Sequence, residues 1–166
     1  MNAHLSVKPH SNAGIGLKEA SKIAVLALLD HALADEYVLY TKTRNFHWNV
    51  EGPRFSELHK FFEAQYEQLN TIVDDVAERS RALDGRSMGS MKEFLGKARL
   101  KESTALALRP EAMLAELAGD HEALIRALRE GVDESASAGD QGTADFLTGL
   151  MVAHEKMAWM LRSFLK

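Results

Sequence analysis

Two pairs of side chains with metal-ligand chemistry stand four residues apart in one stretch of the sequence: His59 with Glu63, and Asp74 with Glu78. Residues four apart share a helix face, so each pair could hold one cation between its members. With Leu58 as reference and 100° per residue, all four lie roughly 100–200° away, whereas the apolar stripe Leu58, Phe62, Tyr66, Leu69, Val73 and Val76 stays within about 80°. The candidate ligands therefore point away from their own chain's core. His59 and Glu78 are nineteen residues apart, roughly 28 Å at 1.5 Å of rise per residue, and metal–ligand bonds are only about 2 Å long. One helix cannot bring both pairs to one small cluster. Either each chain carries two separate sites, or two antiparallel copies of this helix meet across a two-fold axis. In the second case His59 and Glu63 of one chain face Asp74 and Glu78 of the other, and symmetry makes two equivalent sites.

His47 could complete the set, because the turn after it reverses the chain toward His59. Mixed imidazole and carboxylate ligands suit iron, zinc or manganese, and open coordination positions would separate an oxidase from a structural clamp. Each feature also has a plain reading. His47 could be a helix-end histidine, His59 and Glu63 a surface pair, the run from Asp74 to Glu78 a solvated acidic face, and Trp48 a packing residue rather than an electron donor. His31, His121 and His154 lack a comparably spaced carboxylate set and are assigned structural roles. Bundles that hold two irons inside one chain use Glu-x-x-His on each of two helices. The residues three before these five histidines are Arg44, Leu28, Ser56, Ala118 and Met151. None is Glu, which favours the shared arrangement.

The elements that must position these residues read as helices. Residues 1–14 are polar and aperiodic, an expected flexible tail, and 15–166 form one domain. A first helix is predicted from about Leu17 to Phe46, broken by Gly52 and Pro53, and a second from Phe55 to about Leu83, stopped by Asp84-Gly85-Arg86. Residues 86–109 are too long for a hairpin loop. Met91, Phe94 and Leu95 predict a short helix there, starting near Ser90, in a connection that crosses the bundle and leaves its flanking helices parallel. Pro110 opens the next helix, to about Ser135, although Arg109 is a poor cap. Asp140 caps the last, which runs through Phe146, Leu147, Leu150, His154, Met157 and Leu161. The fold class is all-α, a four-helix bundle with one short extra helix.

Composition bounds the rest. The 166 residues are 46% hydrophobic and 27% charged, enough for one domain with a substantial core. With no cysteine there is no disulfide and no thiolate metal site. No stretch of twenty apolar residues could span a bilayer and the N-terminus lacks a signal-like run, so a cytoplasmic protein is expected. The formal charge of −4 argues against a generic nucleic-acid binder. Nine acidic and two basic residues lie between Glu111 and Asp145, a balance of −7 that is either a solvated face or a cation-focusing surface in an oligomer.

At these residues the chain resembles the Dps family, small ferritin-like iron proteins. The resemblance is carried by Asn45-Phe46-His47-Trp48-Asn49-Val50-x-Gly52, then Phe55-x-x-Leu58-His59-x-x-Phe62-Glu63-x-x-Tyr66, then Asp74-x-x-Ala77-Glu78-Arg79. Gly142-Thr143-Ala144-Asp145 and His154-Glu155-Lys156-x-x-Trp159-Met160-Leu161 extend it, so that it covers residues 17–165. It implies a hollow dodecamer with ferroxidase sites at two-fold interfaces, each taking two iron ions. His47, His59 and Glu63 would come from one chain, and Asp74 and Glu78 from its partner. Glu63 stands where the family often has Asp. The resemblance further implies oxidation of Fe(II) by hydrogen peroxide or dioxygen, storage of ferric mineral, Trp48 beside the site, and iron entry past Asp145 with Asp140 adding to the field. DNA binding and nucleoid association carry over weakly, because residues 1–16 hold one lysine, Lys8, and no basic extension closes the chain. The competing reading is a non-enzymatic nucleoid-packing protein with a structural metal site.

Overall fold

The computed structural model describes residues 14–104 and 107–166. Apart from Gly14, the expected tail lies outside the described residues. Five helices follow one another: α1 (Glu19–Asn49), α2 (Phe55–Ala82), α3 (Met91–Lys97), α4 (Pro110–Ser137) and α5 (Gln141–Ser163), with no strand among the described residues. Among the described residues, no helix is long and apolar enough to cross a membrane.

The helix ends follow local chemistry. α1 runs three residues past Phe46, so His47 and Trp48 are helical, and it stops just before Gly52 at φ 107° and Pro53. Ser90 caps α3 by accepting from the Glu93 N–H, and the Glu93 carboxylate returns to the Ser90 hydroxyl and the Gly89 N–H. With Arg86 also donating to it, Glu93 is lowered to about 2. Arg109 makes no side-chain cap, and Pro110 supplies the preorganised first turn of α4. At the end of α2 the left-handed residue is Asp84, φ 67°, rather than its glycine neighbour. Gly85 is needed for space, because a Cβ there would run into the Leu26 side chain. Gly85→Ala is expected to cost roughly 1 kcal/mol, at the low end for overpacking because half-buried Leu26 can turn. A thermal midpoint unchanged at fixed protein concentration would show that Leu26 yields freely.

Pairwise contacts fix the topology. His47 meets His59 across the α1–α2 turn, so these helices are antiparallel. Lys42 on α1 meets Glu116 and Asp120 of α4, while Phe46 and Met113 line one cavity, which makes α1 and α4 antiparallel too. Thus α2 and α4 run parallel, as the long connection requires. Arg79 near the end of α2 meets Asp140 at the start of α5, and Gln65 reaches the Met157 carbonyl further along. The core between them holds Leu29, Leu33 and Leu39 of α1, and Leu58, Phe62, Leu69 and Val76 of α2. Leu114, Leu117 and Leu124 of α4 and Leu161 of α5 complete it. The α2 members are the fully buried part of the stripe read from the sequence.

The crossing segment is pinned by one carboxylate. Asp35, buried in α1, accepts from the Arg99 and Leu100 N–H groups and from the Arg99 guanidinium. His31, one turn earlier, bonds to the Lys97 carbonyl at 2.9 Å. These bonds seat α3 and the following strand of chain against α1.

Candidate metal centre

The α1–α2 turn brings His47 and His59 face to face, ring centroids 3.8 Å apart and 22° from parallel. Each imidazole Nδ1 donates to the other residue's backbone carbonyl, both at 2.8 Å. A carbonyl can only accept, so Nδ1 carries the proton and the ligand-capable lone pair of each neutral ring sits on Nε2. This is the orienting bond that metal-bound histidines characteristically make. Glu63 lies one turn along α2 from His59, half-buried. Tyr66 packs edge-on against His47 at 5.2 Å. Burial first, and Glu63 beside it, raise the Tyr66 phenol, which stays protonated.

Arg44 organises the aromatic wall. Tyr40, Arg44 and Trp48 follow one another at four-residue spacing on α1, and Tyr66 joins them from α2. The Arg44 guanidinium carbon lies 5.6 Å from the Tyr40 ring centre, 5.1 Å from Trp48 and 5.0 Å from Tyr66. Its Nη1 donates to the Tyr40 hydroxyl at 2.6 Å, a bond that raises the Arg44 pKa further. The Trp48 indole is otherwise 63% exposed.

Asp74 and Glu78 lie at the far end of α2, both exposed. A groove between α1, α2 and α3, walled by Tyr37, Asn70, Asp74, Ala77 and Phe94, opens beside Asp74. The structure brings His47 and His59 together, sets Glu63 one helical turn from His59, and leaves the second carboxylate pair apart. Among the described residues of one chain, no three His, Asp or Glu side chains converge to hold a metal ion.

Asp140 and Asp145 part company. Asp140 is buried as the N-cap of α5, accepting from the Thr143 N–H and hydroxyl and from Arg79 at 3.0 Å. Asp145, one turn later, is exposed.

A polar cluster that spacing arguments missed crosses the bundle core. His154 Nε2 donates to Glu36 Oε1 at 2.8 Å, and its Nδ1 lies 2.9 Å from His121 Nδ1, one proton bridging the two rings. All three residues are fully buried, and Glu36 Oε2 and His121 Nε2 have no partner among the described residues. Burial first, then His154, pushes the His121 pKa well below its ordinary value. The available signal was a polar residue on an apolar stripe in each of three helices: Glu36 after Leu29 and Leu33, His121 between Leu117 and Leu124, His154 between Leu150 and Met157.

Comparison with known proteins defines the class first. Residues 26–166 match the family model described as a ferritin-like domain. An uncharacterised low temperature-induced protein of Nostoc is 50% identical over 153 residues, 92% of this chain and 86% of the relative. The DNA protection during starvation protein 2 of Bacillus anthracis is 38% identical over 141 residues, 85% and 96% of the two chains. Among solved structures, Dps from Thermosynechococcus elongatus superposes with a TM-score of 0.85 at 33% identity, covering 89% of this chain and 93% of its own. Dps from Vibrio cholerae, described as a member of a broad superfamily of ferritin-like diiron-carboxylate proteins, gives 0.88 at 32%, covering 94% and 100%. The chain belongs to the Dps family of ferritin-like proteins.

Proposed function

We propose that this protein oxidises Fe(II) at sites shared between two copies of the chain and stores the ferric product inside a hollow dodecamer. Iron is substrate and cargo, and hydrogen peroxide or dioxygen takes the electrons. The observation that carries the reading is the reciprocal His47–His59 arrangement. It fixes one Nε2 lone pair on each ring, with Glu63 a helical turn from His59 and with Asp74 and Glu78 too far along α2 to join them within one chain. Across a two-fold axis, antiparallel α2 helices bring Asp74 and Glu78 of a second copy to that half-site, and each such dimer carries two sites. His47, His59 and the three carboxylates bind two Fe(II), each giving up one electron to a shared two-electron oxidant. Removal of Fe(II) and peroxide protects DNA without contact to it, in a cytoplasmic setting.

The decisive test is anaerobic Fe(II) titration followed by peroxide. Two irons bound per site and oxidation complete within the mixing experiment are expected. Weak binding without acceleration over free Fe(II) would overturn the proposal.

Asp145 is the residue we assign to iron entry, since its carboxylate is exposed while that of Asp140 is committed to the α5 cap. Three copies around a three-fold opening would attract Fe(II) by their summed field. Asp145→Asn is expected to slow initial oxidation several-fold at low ionic strength, with the difference shrinking near 0.15 M salt, where the screening length is about 8 Å. Stopped-flow at matched shell concentration measures this. An unaltered low-salt rate removes Asp145 from the entry path.

A further inference from the structure

Arg44 places one permanent positive charge against three oxidisable rings at the wall of the candidate site. We propose that Arg44 is a positioning residue that keeps Tyr40, Trp48 and Tyr66 from acting as electron donors, so that the electrons taken by the oxidant come from iron. The proposal rests on the ferroxidase reading for its context and on the Arg44 geometry for its physics.

The balance is simple. Reducing one hydrogen peroxide to two hydroxide ions takes two electrons. Two bound Fe(II) supply one each. A site holding a single Fe(II) supplies one, and the second is then available from a neighbouring ring. Loss of an electron from the Trp48 indole would leave a radical cation whose centre lies 5.1 Å from the Arg44 guanidinium carbon. The attraction between cation and π-face in the ground state becomes repulsion between like charges, so electron loss is disfavoured. Tyr40 is restrained differently. Arg44 Nη1 donates to the Tyr40 oxygen at 2.6 Å and draws density from it. Tyr66 presents its ring to the same guanidinium at 5.0 Å, so charge left on that ring would meet the same repulsion. A half-loaded site therefore waits for its second iron.

The molecule holds its own reference. Trp159 is 59% exposed in the chain, against 63% for Trp48, and Arg44 faces only the latter. Wild-type, Arg44→Met and Arg44→Lys proteins, metal-free and assembled, would be treated with hexachloroiridate(IV). This anionic reagent removes one electron and becomes iridium(III). Its charge draws it toward Arg44, so encounter bias runs against the expected result. Peptide mass spectrometry then gives the ratio of Trp48 to Trp159 oxidation. The ratio is expected to rise about threefold or more in Arg44→Met and to stay near wild type in Arg44→Lys, which retains the charge. An unchanged ratio in Arg44→Met overturns the proposal. An equal rise in both variants overturns it too, since that result means shielding by the planar guanidinium rather than charge.

A second arm loads one Fe(II) per site without oxygen and adds peroxide, with more oxidation of Tyr40, Trp48 and Tyr66 expected in Arg44→Met than in wild type. If no variant or wild type oxidises iron, the ferroxidase reading fails while the metal-free arm still decides the role of Arg44.

Discussion

Asp74→Ala/Glu78→Ala shells are expected to lose fast iron oxidation by about two orders of magnitude or more. Removing even a group that only hydrogen-bonds a metal ligand typically costs about 10–100-fold, and this variant removes two of the proposed ligands outright. Both residues are exposed on a helix whose core stripe lies on the opposite side, so the shell itself should assemble and melt as wild type. The same loss is expected for His59→Ala/Glu63→Ala. The combination of the two is more telling than either. In a dimer with one chain of each kind, one site receives both defects and the other receives neither. Random pairing makes about half the dimers mixed, so co-refolded equal mixtures should recover about one quarter of wild-type activity. Confirmed mixed shells with no recovery would show that the ligands are not shared. Full activity in the Asp74→Ala/Glu78→Ala protein would remove those residues from the site.

The buried Glu36–His154–His121 cluster should dominate stability in the opposite sense. Glu36→Ala strips the acceptor from the fully buried His154 Nε2–H, and a buried donor left unsatisfied costs about 1–3 kcal/mol. Replacing all three by apolar residues of similar volume, Glu36→Leu/His121→Leu/His154→Leu, is expected to be neutral or stabilising by about 1–4 kcal/mol. The cluster also carries a pH signature. The His121 pKa is lowered on folding, so the unfolded chain takes up a proton that the folded chain refuses. Its contribution is fully present above the unfolded value of about 6.5 and is lost as pH falls from there toward the folded value. The slope approaches about 1.4 kcal/mol per pH unit for that one proton. Thermal midpoints from pH 7.5 down to 5, at fixed protein concentration, should fall more steeply in wild type than in the triple variant. Parallel curves would mean that His121 is protonated in the folded core.

What the sequence disclosed and what it hid follow from range. Helix starts are local events. Ser90 and Asp140 were legible because each cap is closed within three residues, by Glu93 and Thr143, and Pro110 because its ring presets the first turn. The α2 stripe was legible because burial there repeats at the helical period. The stop after Leu83 was legible as a place, yet its mechanism was not. Asp84-Gly85-Arg86 reads simply as a stop, whereas in the structure Asp84 takes the left-handed conformation and Gly85 makes room for Leu26, fifty-nine positions earlier. Of the candidate site, the pairing of His47 with His59 is carried by a short turn and could be anticipated. The Arg44 cluster was half-visible: Tyr40, Arg44 and Trp48 are spaced for one face of α1, but Tyr66 reaches it only through packing. The Glu36–His154–His121 line joins Glu36 to a residue 118 positions away and His154 to one 33 positions away, and nothing in their spacing announces it.

The distance between the two ends of α2 has a consequence for timing. A newly made chain leaves the ribosome with its candidate ligands in two groups, His47, His59 and Glu63 in one and Asp74 and Glu78 in the other, too far apart to meet. On the shared-site reading it cannot turn over iron and peroxide while it is alone. Reactivity arrives with the pairing of subunits, the same event that begins to enclose a compartment for the product. Assembly thus acts as a safety catch, delaying a hazardous reaction until its container is under construction.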